Sequence, residues 1–252
     1  MKIFKEKYRK IISFVCSFLL TCGLCFVFAF SSAQTATETN SLSTPNFTLY
    51  CIATAKSQLE SEAESLAVDS MKTNSGGYVW KQGNYYYVIS SAYENKNDAT
   101  LVKTALSNND ITSEIIEFKF DEIDLSSLNL STHDEKDTFI NSLRLFKNCY
   151  SELFDISVCL DTKLYDEKKA LLEINTIQSK ASEQSKNFSL LFGSKEKPIF
   201  NNFNTVLTET NQLLNDLSNK KKKSEKQTFL SQIRYTYTKI CAIYYDFLKN
   251  ID

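Results

Sequence analysis

The sequence predicts an α+β chain: a β-α-β-β-α-β unit, then an all-α helical bundle, with an apolar N-terminal helix of membrane-spanning length ahead of both. Three observations carry this. Residues 76–93 (GGYVWKQGNYYYVISSAY) alternate aromatic and β-branched residues about a Gln82-Gly83-Asn84 turn, the pattern of a two-stranded hairpin. Apolar residues at helical spacing lie on both sides of that hairpin and dominate from residue 134 onward. Residues 11–30 carry no charge.

That charge-free run opens at Ile11 and closes at Phe30, behind Lys2, Lys5, Lys7, Arg9 and Lys10. Twenty residues of helix at 1.5 Å each span roughly 30 Å, a bilayer's hydrocarbon thickness. The basic flank at 1–10 keeps to the cytoplasm, so residues 11–30 read as a signal-anchor and the rest as extracytoplasmic. A cleaved signal peptide has a shorter apolar region, about 7–15 residues. Ser31-Ser32-Ala33 nevertheless offers small residues to a peptidase, so secretion after cleavage stays open. Both readings export the body.

Charge narrows the partners. The chain has 29 basic and 30 acidic residues; setting aside the five basic residues and Glu6 within 1–30 leaves 24 against 29. A net-acidic exported part argues against nucleic acid or an anionic lipid surface. Lys220 to Lys223 read as a solvated loop. Cys51, Cys149, Cys159 and Cys241 would be exported. Buried free thiols are one reading, and a Cys159–Cys241 bridge between helices is the other.

Residues 31–46 are small and polar and read as a linker. The first domain is placed at 47–120. Residues 47–53 form a strand, 57–72 a helix with Ala63, Leu66, Ala67 and Met71 on one side, and 77–81 and 85–91 the hairpin. Residues 97–107 form a second helix, capped by Asn95 or Asn97, and 111–120 a last strand. This order is a split βαβ sandwich of the ferredoxin-like kind, with helices on one sheet face and the other face open. A linker covers 121–133. Residues 134–252 form the helical domain. Phe139, Leu143, Phe146, Tyr150, Leu153 and Leu160 recur at three or four residues, and Leu171, Ile174, Ile177 and Ala181 continue after a break near 161–165. Pro198 suits the first turn of the next helix, and Phe229, Ile233, Tyr237, Ile240, Tyr244 and Phe247 line the last. An antiparallel four-helix bundle follows, or three helices with a broken arm.

Over 47–120 the chain resembles the SPOR (sporulation-related repeat) domain, which has the same element order over about this length. That family's strands run roughly tyrosine-valine-glutamine-valine-glycine before an alanine-bearing helix. The matches here are Leu49-Tyr50-Cys51-Ile52-Ala53 before Ala63, and Tyr86-Tyr87-Val88-Ile89-Ser90-Ser91 before Ala99. Gly76-Gly77-Tyr78-Val79 fits the family's mid-domain glycine and second strand. The resemblance implies binding to septal peptidoglycan glycan strands, without catalysis, in cell division or sporulation. Where the family carries polar residues on its open sheet face, this chain has Cys51, Tyr87 and Ile89.

Alternation assigns the two faces. With Tyr50, Ile52, Val79, Tyr86 and Val88 toward the helices, the opposite face carries Leu49, Cys51, Tyr78, Trp80, Tyr85, Tyr87 and Ile89. These seven are the candidate glycan-binding residues, as a platform on which sugar rings stack. An apolar face of this kind also suits a protein partner or a second copy, or it is covered by the chain's own bundle and is ordinary core. The non-glycan reading makes the chain an envelope assembly module whose SPOR-like domain no longer binds glycan.

No enzymatic constellation is legible. His133 is the single histidine and lies in a polar connector. There is no paired-histidine metal spacing, no phosphate-cradling glycine loop and no Gly-x-Ser-x-Gly elbow. Neither catalytic residues, metal nor cofactor is expected. The bundle reads as structural or as a site for a protein partner.

Overall fold

The computed structural model describes residues 42–251. The expected signal-anchor at 11–30 and most of the expected linker lie outside them. Among the described residues, no helix is long and apolar enough to cross a membrane.

The first half is the predicted unit. It comprises β1 (Phe47–Ser57), α1 (Glu60–Ser70), β2 (Tyr78–Gln82), β3 (Tyr85–Tyr93), α2 (Lys96–Ser107) and β4 (Glu114–Phe120). The sheet order is β2-β3-β1-β4, antiparallel throughout. β1 thus lies between two strands that are distant from it in sequence, as a split βαβ unit requires. The hairpin pairs Trp80 with Tyr87 and Gln82 with Tyr85 across a turn whose Gly83 has φ +59°. Asn95, not Asn97, caps α2, its side chain accepting the N–H of Asn97 at 2.8 Å.

The pairing of β1 with β3 is interrupted twice. Ile52 pairs with Ser91, Ala53 with Ile89, and Ala55 with Val88, so Ser90 and Thr54 are each an extra residue. Such bulges re-aim the residues that follow. Ala53 accordingly packs in one cluster of buried residues and Ala55 against another. The displaced Ser90 carbonyl accepts the N–H of Gly76 at 2.8 Å.

The second half is four antiparallel helices: α3 (His133–Asp161), α4 (Glu167–Phe192), α5 (Pro198–Ser218) and α6 (Phe229–Lys249). Thr132, Asp166 and Thr228 cap α3, α4 and α6 by accepting N–H groups of their first turns, satisfying donors the helix cannot. Pro198 occupies the start of α5 as predicted. Phe139 meets the rings of Phe188, Phe192, Phe200 and Phe203, each centroid within 5.9 Å. Phe247 of α6 joins them through Phe203 at 4.9 Å, so four helices rather than three close around one aromatic core.

Two expectations are corrected here. The sheet has no open face: α1 and α2 cover one side, and α6, with α3 beside it, covers the other. Nor do the two domains placed at 47–120 and 134–252 keep cores of their own. Buried residues from Leu42 through the sheet to Leu248 form one contiguous cluster, and only Ala63, Ala67 and Val88 under α1 form a second. The connectors are part of this packing. Thr44 N–H donates to the Ile123 carbonyl at 3.0 Å and Leu125 N–H to that of Leu42 at 2.8 Å. Leu42, Leu125 and Leu130 are buried. Leu125 and Leu130 give the 121–133 segment something to bury, which an independent linker would lack.

Candidate functional site

The predicted face is assembled as alternation required, but as the floor of a joint. β1 supplies Leu49 and Cys51, β2 supplies Tyr78 and Trp80, and β3 supplies Tyr87 and Ile89. All six belong to, or pack against, the core shared with the bundle. Leu49, Cys51 and Ile89 are fully buried and Trp80 is 3% exposed. Tyr78 and Tyr87 are half-buried. Tyr85, at the hairpin tip, is 37% exposed and alone among the seven stands in solvent.

The contacts explain the burial. The Trp80 ring lies flat on Phe118, centroids 3.7 Å apart and planes 14° apart. Tyr245 of α6 meets the edges or faces of Trp80, Phe118 and Phe120 at 5.8, 5.4 and 5.2 Å. Tyr235, ten residues earlier on α6, meets Tyr78 at 5.6 Å. Two tyrosines that flank the core stripe of α6 therefore insert into the sheet, while Tyr244 on the stripe stacks on Phe146 of α3 at 4.4 Å. Tyr150 of α3 adds a polar tie, its hydroxyl donating to the Ala92 carbonyl at 3.1 Å.

A second tie joins the halves at the far end of α6. Arg234 Nη2 donates to Asp161 Oδ2 at 2.8 Å, and Nη1 donates to the Asn74 carbonyl at 2.9 Å. The two charged side chains are only 14% and 4% exposed. Thr228 Oγ1 donates to Asn74 Oδ1 at 2.7 Å. Asn74 adopts φ +64°, a left-handed conformation that asparagine tolerates. Gly76 sits against the α6 backbone, where a Cβ would lie 3.1 Å from the Arg234 carbonyl carbon and 3.2 Å from Tyr235 N. None of Asn74, Asp161 and Arg234 stands out in the sequence. The one available signal is a charge, Arg234, beside the core position Ile233.

Electrostatics follow burial. Desolvation pushes the thiols of Cys51 and Cys241 far up, and that of Cys149 up to about 12. These thiols are therefore protonated and inert at neutral pH. The four described cysteines are unbonded, in line with the free-thiol reading and without the Cys159–Cys241 bridge. Burial likewise raises the Tyr78 phenol. Among the described residues, no group of three or more His, Cys, Asp or Glu is placed to hold a metal ion. A cleft of about 410 Å³ lined by Lys103, Ser107, Asp110 and Ser113 contains none of the predicted site residues.

Outside the joint, the hairpin edge keeps a small aromatic surface. Lys56 Nζ lies 5.4 Å from the Tyr85 ring centroid and 5.9 Å from that of Tyr87, and it pairs with Glu114 at 3.1 Å. No family model, curated protein or solved structure matches this chain.

Proposed function

We propose that the chain is a membrane-tethered, extracytoplasmic, non-enzymatic assembly module. Its SPOR-like sheet serves as the seat for its own helical bundle instead of as a glycan platform. One observation carries the reading: Trp80, the centre of the predicted platform, is 3% exposed and enclosed by Phe118 and Tyr245. A sugar ring needs a bare aromatic face on which to stack, and here the bundle occupies that face. The tether and the compartment rest on the N-terminal sequence. The outward surface of the bundle is then what meets a protein partner.

A second reading keeps glycan binding and moves it to the hairpin edge. Tyr85, Tyr87 and Lys56 favour it, since together they offer an exposed ring beside a donor. One experiment separates the two. Full-length protein in detergent micelles is sedimented with purified cell-wall sacculi, and Trp80 emission is recorded with and without wall glycan fragments. The assembly reading expects blue-shifted emission that glycan leaves unchanged, and no co-sedimentation. Co-sedimentation lost in Tyr85→Ala would establish the hairpin-edge reading. A red emission that shifts with glycan would defeat the assembly reading outright.

A further inference from the structure

The turn between α5 and α6 holds polar groups that the assembly reading leaves unused. Gln227 is 1% exposed. Its Oε1 accepts the N–H of Lys223 at 2.8 Å, which sets the orientation of the amide, and its Nε2 has no hydrogen-bond partner. Gln232, in the first turn of α6, is 4% exposed and presents Oε1 equally without a partner. Both amides line one small cavity with Asp216, Lys221, Lys223 and Tyr235. The cavity encloses about 10 Å³, room for one oxygen-sized atom. Folded proteins hold few buried polar groups without partners, and those that persist call for an explanation.

The charge around the cavity is positive. Lys221 and Lys223 line it, and because Lys221 Nζ already neutralises Asp216 at 2.9 Å, the charge of Lys223 is left over. The N-terminus of α6, capped by Thr228, adds its dipole. The site thus offers a buried donor, an unpaired acceptor and a basic mouth.

We propose that this end of the bundle binds a phosphate group. One phosphate oxygen enters the cavity and accepts from Gln227 Nε2. The same oxygen, as P–OH, donates to Gln232 Oε1. The remaining oxygens stay at the mouth and face Lys223 and the positive end of α6. The acceptor makes the site selective: hydrogenphosphate carries a proton to donate at neutral pH, and sulfate does not.

The test is calorimetric titration of the full-length chain in micelles at constant ionic strength, with inorganic phosphate, sulfate and glycerol 3-phosphate as probes. Saturable phosphate binding is expected, with sulfate at least tenfold weaker. Gln227→Glu keeps the acceptor for the Lys223 N–H and replaces the donor with a repelling oxygen, so binding should vanish. If that variant does not fold, Lys223→Gln, at an exposed position, decides by weakening binding severalfold with the melting temperature unchanged. Tighter binding of glycerol 3-phosphate assigns the site to a phosphate ester, and tighter binding of inorganic phosphate to the free ion; either supports it. No saturable binding, equal binding of sulfate and phosphate, or variants that bind like the parent would overturn it. None of those failures would bear on the closed sheet.

Discussion

Replacing Trp80 by alanine distinguishes a joint from a platform. Trp80 is 3% exposed and its ring meets those of Phe118, Tyr245 and Tyr78 at 3.7, 5.8 and 6.0 Å. Truncating a large buried aromatic side chain costs roughly 3–5 kcal/mol, from lost transfer energy and from the cavity left behind. Aromatic pairs are worth about 0.5–1.5 kcal/mol beyond their area, which places this site toward the upper end of that range. A domain of ordinary stability has only about 5–15 kcal/mol in total, so the loss is a large share. Urea unfolding followed by circular dichroism measures it, because the variant lacks the chain's one tryptophan. Because sheet and bundle share one core, the strand and helix signals should shift together, in a single transition at lower urea. A loss under about 1 kcal/mol, or a shifted strand signal with an unmoved helical one, would refute the shared-core reasoning.

Three other outcomes are expected. Asp161→Ala strands the buried guanidinium of Arg234 and should cost about 3–5 kcal/mol by the same denaturation; the double variant with Arg234→Met should recover much of that. Gly77→Ala should destabilise more than Gly83→Ala, although both have positive φ. A Cβ at Gly77 would lie 2.7 Å from Met71 Cγ and 2.9 Å from the Ala67 carbonyl oxygen, whereas one at Gly83 meets nothing within 4 Å. Strain alone is worth about 1 kcal/mol, and paired thermal melts would expose the difference. The third concerns pH. The hydrogen bond from Lys195, with that from the Ser131 N–H, holds the Glu135 carboxyl down from 4.5 to about 2. A lowered folded-state pKa gives stability that is complete above about pH 4.5 and lost as pH falls toward 2. Glu135→Gln should flatten the melting temperature across that window, and an unchanged slope would discard the pair as a contributor.

What the sequence determined by itself was everything set by local period. Alternation along 49–53, 77–81 and 85–91 sorted Trp80, Ile89, Leu49 and Cys51 onto one side and Val79, Tyr86 and Val88 onto the other, and the structure keeps that division. Element order, the Gly83 turn and the start of α5 at Pro198 were readable for the same reason: a residue's backbone preference acts within a few positions of itself. Three readings of the apolar face stayed open because burial of apolar surface is non-directional. Alternation says that Trp80 must leave water and does not say whether sugar, partner or Tyr245 will exclude it. The tertiary structure decided in favour of α6. It alone also placed the bulges at Thr54 and Ser90, the meeting of Asp161, Arg234 and Asn74, and the two unpaired amides near Lys223. The bulges and the Asp161–Arg234–Asn74 meeting depend on groups distant in sequence, and the burial of the amides on helix packing; both exist only once the chain has folded.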